Sequence, residues 1–185
     1  MEDVYLDIET TGLDPNEDEI LEVAIVEENG KILLNTLIKP CHHGQWDQAE
    51  KINGISPAMV KDVPKKAQVD SLIAKAIKGR NIYIWNAKFD TAFLPYLQKH
   101  AKKVICAMEE FGDYIEKTQP QNKSKSGRYK MENTARDLNI EIQNQHRALG
   151  DVRAMIAIRK TYLRPGFKRT NLSGSKHVEA YRELA

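Results

Sequence analysis

Two cysteines in 185 residues, Cys41 and Cys106, are too few for a disulfide framework to hold the fold. No apolar run approaches the roughly 20 residues that a membrane-spanning helix needs, so no membrane partner is expected. The opening MEDVYLDIE has no basic stretch followed by an apolar one; a secretory signal is therefore not expected, and a cytoplasmic location is. No internal repeat is visible, which argues against solenoids and propellers. Neither sign of charge dominates: 28 Lys and Arg stand against 26 Asp and Glu, so net charge does not announce a partner. The distribution is more informative. Residues 1–30 contain no Lys or Arg and can collect cations. Residues 117–130 carry Lys117, Lys123, Lys125, Arg128 and Lys130 with no acid, and can meet phosphates.

What is present fits one globular domain. The hydrophobic share is 41% and the charged share 29%, both ordinary for a packed core with a solvated surface. Val4–Ile8, Ile20–Glu28 and Ile32–Ile38 read as strands, with the Asn29-Gly30 turn joining the last two as a hairpin. Ser56-Pro57 reads as a helix start. Val69, Leu72, Ile73, Ala76 and Ile77 form the stripe of a helix over Ala67–Lys78, closed by Gly79. Ile82–Trp85 suits a central strand, and Phe89, Phe93, Leu94 and Leu97 a helix that Pro95 kinks or shortens. Val104-Ile105 reads as a last strand, residues 118–130 as a mobile loop, and Ala148–Ile158 as a closing helix. The pattern predicts an α/β domain over residues 1–163, with a mixed sheet flanked by helices. Residues 164–185 read as a polar, basic tail.

The chemistry-bearing residues fall at three places. Asp7 and Glu9 alternate with Ile8 on a strand, so both carboxylates leave one face. Side by side they repel unless a cation lies between them, and oxygen ligands favour Mg²⁺ or Mn²⁺. Alone, such a pair is more often a solvated strand end; Thr10-Thr11-Gly12-Leu13 after it adds a turn that a ligand can approach. Asp90 follows a helix-start residue, Asn86, and alone reads as an ordinary helix-start acid. His146 and Asp151 would diverge on one continuous helix, but converge if His146 lies on the loop before it. An unperturbed imidazole pKa near 6.5 fits such a histidine to take a proton from water. Cys41-His42-His43 lacks a nearby fourth ligand, so zinc is not expected.

In combination, DIETTGL at 7–13, NAKFDTAFL at 86–94 and HRALGD at 146–151 resemble the three motifs of the DnaQ-like, DEDDh family of 3′→5′ exonucleases. The polymerase III epsilon proofreading domain, exonuclease X and RNase T are of this kind. INGISPAMV at 52–60 and YKMENTARDLNI at 129–140 extend the resemblance over roughly residues 3–160. Trp85 departs from the histidine the family often has before the asparagine, at a position that is not catalytic. The resemblance implies an RNase H-like fold: a five-stranded sheet with a three-strand antiparallel meander followed by parallel strands. It also implies catalysis by Asp7, Glu9, Asp90, His146 and Asp151. The four acids would hold two Mg²⁺ or Mn²⁺ ions, and His146 would be the general base. Thr10, Thr11, Gly12, Leu13, Ile55, Asn86 and Phe89 would meet the terminal nucleotide, Leu13 as a wedge with Ile55 packed nearby. Core packing is the alternative for Leu13 and Ile55.

The expected activity is release of nucleoside 5′-monophosphates from DNA 3′ ends, preferably single-stranded. The alternative within the same chemistry is an exoribonuclease like RNase T or oligoribonuclease. A non-catalytic nucleic-acid-binding or polymerase accessory subunit is the alternative of another class, but retention of all five site residues argues against it. No polymerase region follows within the chain, so a stand-alone enzyme is expected over a built-in proofreader, with a separate subunit partnering a DNA polymerase as the other arrangement.

Overall fold

The computed structural model describes residues 2–124 and 128–167. Most of the expected basic tail, residues 168–185, and residues 125–127 of the expected loop lie outside that description. The chain opens with β1 (Val4–Thr10), β2 (Ile20–Glu27) and β3 (Ile32–Leu37), followed by α1 (Asp47–Asn53) and α2 (Lys66–Ile77). Then come β4 (Asn81–Ile84), α3 (Ala87–Phe93), α4 (Leu97–His100), β5 (Lys103–Cys106), α5 (Ala107–Thr118), α6 (Met131–Asp137) and α7 (Ala148–Tyr162).

The five strands form one mixed sheet in the order β3-β2-β1-β4-β5. β1 pairs antiparallel with β2, and β2 antiparallel with β3. β4 lies parallel to both β1 and β5. This is the meander followed by parallel strands that the family resemblance implies. Gly30 closes the β2–β3 hairpin at φ +94°, a backbone state that glycine adopts without a Cβ clash. Alternation along β1 splits the core. Val4, Leu6 and Ile8 join α2, α3 and α4 on one sheet face, while Tyr5 joins α5, α6 and α7 on the other. Asp7 and Glu9 share Tyr5's parity, so they leave the sheet on the α7 side.

Three local expectations change. Ser56-Pro57 starts no helix; residues 57–63 form turns, with Met59 N–H bonded to the Ser56 carbonyl at 3.0 Å. Pro64 follows and disfavours helical conformation at Val63. Residues 118–130 are not uniformly loop: Thr118 ends α5, and Pro120–Asn122 form a 3₁₀ turn. Tyr129 is buried against Phe111, and its carbonyl accepts Trp85 Nε1–H at 3.0 Å. Lys123, expected to face phosphate, pairs with Glu116 at 2.6 Å. Pro95 does break its helix, separating α3 from α4. Among the described residues no helix is long and apolar enough to cross a membrane.

Candidate active site

The sheet brings the separated motifs to the C-terminal ends of β1 and β4. Asp7 and Glu9 come from β1, Asp90 from the first turn of α3, and Asp151 from the first turn of α7. Carboxylate oxygens of Asp7, Glu9 and Asp151 lie within 4.8 Å of one another. Asp90 is 3% exposed, and its Oδ1 has no hydrogen-bond partner among the described residues. An unpartnered buried carboxylate oxygen is costly unless a cation meets it. The donor set is oxygen-rich and crowded with negative charge, which fits a hard divalent cation. This acidic cluster could therefore hold a metal.

The electrostatics point the same way. Burial, then the charges of Asp90, Asp151, Glu9 and Glu22, hold the Asp7 carboxyl well above the usual range. Burial and Asp151 push Glu9 up to about 8, with Arg147 opposing. Burial pushes Asp90 up to about 8, against backbone hydrogen bonds at Asp90 and Ile8 that favour the anion. Burial raises Asp151 to about 6, although the charge and the backbone N–H of His146 both favour its ionised form. Those interactions also place His146 beside Asp151. His146 sits on the loop before α7 at φ +60°, a left-handed conformation uncommon for a residue with a Cβ.

The positions expected to grip a nucleotide divide. Leu13 is 83% exposed, so it is no core residue. Ile55 is fully buried with Leu21, Trp46 and Val60 and offers a ligand no surface. Thr10 and Thr11 are nearly buried, and Thr11 Oγ1 donates to Asp18 Oδ1 at 3.0 Å. A Cβ at Gly12 would overlap the Asp18 carboxylate, so a larger residue there would have to displace the Asp18 side chain from Thr11. Asn86 is exposed at the start of α3, and its side chain makes no capping hydrogen bond. Phe89 is half-buried against Phe93. Ile52, in contrast to Ile55, is 61% exposed on α1 next to Asn53. The Asn53 amide donates to the Thr10 carbonyl at 3.3 Å and so ties α1 to the end of β1. Cys41, His42 and His43 give their backbone N–H groups to Glu19.

Comparison with known proteins agrees with this fold. Residues 4–159 match the RNase T-type exonuclease family model. The chain is 27% identical over 168 residues to exonuclease CP81 of Escherichia phage 186, covering 84% of each protein. It is 28% identical over 165 residues to the DNA polymerase III epsilon subunit of Treponema pallidum, covering 85% of this chain and 74% of that one. E. coli exonuclease I bound to a dT13 oligonucleotide shares the fold at a TM-score of 0.70 and 19% identity. The chain spans only 40% of exonuclease I. Fold and family match agree: the chain belongs to the exonuclease family, as a DnaQ-like 3′→5′ exonuclease domain.

Proposed function

We propose that the protein removes nucleoside 5′-monophosphates one at a time from 3′ ends of single-stranded DNA. Asp7, Glu9, Asp90 and Asp151 would hold two divalent ions, Mg²⁺ or Mn²⁺. Ions held there would supply Lewis acidity for the attacking water and positive charge for the phosphodiester and its leaving oxygen. His146 takes the proton from the attacking water. The acids would otherwise repel a phosphodiester.

The observation that carries this reading is the convergence of three carboxylates within 4.8 Å beside a buried Asp90 with an unpartnered oxygen. Leu13 supports action at a chain end: a large apolar side chain left 83% exposed on the turn that follows β1 can wedge against the last base. Ile52 takes the part first expected of Ile55. Apolar contact of this kind tolerates every base, which suits removal of any nucleotide. Asn86 and the backbone at Thr10 and Thr11 complete the grip. A DNA polymerase or other replication protein is the partner this activity would serve as proofreader.

Asp7→Ala and Asp151→Ala test the site. Each should abolish Mg²⁺-dependent release of mononucleotides from single-stranded DNA. Robust cleavage by the purified double variant would sink the assignment.

A further inference from the structure

Glu22 belongs to none of the motifs, yet it lies within the acidic face. It is the cross-strand partner of Glu9 on β2, and paired residues share a sheet face. Two facing acids normally destabilise a strand pair, and Glu22 is only 4% exposed. Its oxygens are nevertheless occupied. Arg147 Nη2 donates to Oε1 at 2.7 Å and Arg147 Nε to Oε2 at 3.0 Å, a two-pronged ion pair. The Ala148 backbone N–H donates to Oε2 at 2.9 Å. Glu22 thus differs from Asp90, whose Oδ1 has no partner among the described residues.

The two donor residues lie at the join between the His146 loop and α7. The Arg147 carbonyl accepts Asp151 N–H at 3.0 Å, and Arg147 N–H donates to the Asn144 carbonyl at 3.1 Å. Between them the chain passes through His146 at φ +60°. A left-handed residue of this kind persists when its surroundings hold it there. We infer that Glu22 is a positioning residue: through Arg147 and the Ala148 N–H it fixes His146 and Asp151 against the acids of β1. The inference rests on the reading of Asp7, Glu9, His146 and Asp151 as the catalytic set.

The test compares Glu22→Gln, Arg147→Met, Arg147→Lys and the Glu22→Gln/Arg147→Met double variant, with Asp7→Ala alongside. Glutamine turns an N–H pair toward the guanidinium and breaks the ion pair while keeping the shape. Steady-state kinetics on single-stranded DNA should show kcat about tenfold or more lower for Glu22→Gln and Arg147→Met, with KM within about twofold. Arg147→Lys should recover part of kcat. The double variant should be no worse than the worse single, because both changes break one interaction. Binding of Mn²⁺ alone, followed by electron paramagnetic resonance, should change alike in both single variants. The inference is overturned if kcat of Glu22→Gln stays within about twofold of the parent, or if the two losses multiply. Weakened Mn²⁺ binding in Glu22→Gln alone would make Glu22 a ligand and also overturn it. Should Glu22→Gln fail to fold, an unchanged kcat in Arg147→Met, at a partly exposed position, overturns it as well. Activity retained by Asp7→Ala would instead reject the underlying site.

Discussion

Asp90→Asn should stabilise the metal-free protein while destroying its function. Burial raises the Asp90 carboxyl from 3.8 to about 8, so at pH 8 the empty site carries a charge it poorly supports. That rise bounds the penalty at about 6 kcal/mol. Asparagine removes the charge and keeps the shape, but brings a buried N–H pair that costs about 1–3 kcal/mol if unmet. The expected net gain is at most about 3–5 kcal/mol at pH 8, or about 6–20 °C in Tm for a chain of this size. The folded pKa lies above the unfolded one, so the native state binds the extra proton between about pH 4 and 8. Parent stability therefore falls as pH rises through that window, and the advantage of asparagine grows with it. Thermal melts in EDTA from pH 4.5 to 8.5 should show the two proteins converging at the acid end and separating at pH 8. Mg²⁺ should raise the parent's Tm and move that of the variant much less. A variant that melts below the parent at pH 8 in EDTA, or a gain independent of pH, would refute the burial argument.

His146→Ala should lower turnover by about 10²–10⁴-fold while Mn²⁺ binding persists, measured by single-turnover hydrolysis and metal titration. Leu13→Ala should leave stability within about half a kcal/mol of the parent because the side chain is exposed, yet raise KM for single-stranded DNA. Gly150→Ala gains about 1 kcal/mol of helix propensity. Its Cβ, however, would overlap the carbonyls of Gln143 and Asn144 in the His146 loop. A net loss of about 1–3 kcal/mol in denaturant melts, with reduced activity, is expected.

That Asp7 and Glu9 leave one face of β1 is legible in the sequence because strand alternation is a local rule; Asp90 and Asp151 read alone as ordinary helix-start acids, and only the motif resemblance implies that they join the acids of β1. The placement of His146 on a loop follows from where the α7 stripe begins. What is illegible depends on distant chain. Glu22 sits in the apolar run ILEVAIVE, and its partner is 125 residues away. Ile52 and Ile55 look alike in sequence; only the packing of Ile55 on Leu21 and Trp46 separates them. The helix start at Ser56-Pro57 is a sound local signal, yet residues 57–63 fold into turns. α5 is a different case: Ala107, Phe111 and Ile115 repeat every four residues, a helical stripe that was open to reading.

The central claim is tested most directly by digesting 5′-labelled single-stranded DNA, duplex DNA and RNA side by side, with Mg²⁺ and with EDTA. The account predicts a ladder shortening from the 3′ end, fastest on single-stranded DNA and absent in EDTA. Internal cuts, shortening from the 5′ end, or cleavage that survives EDTA would contradict it.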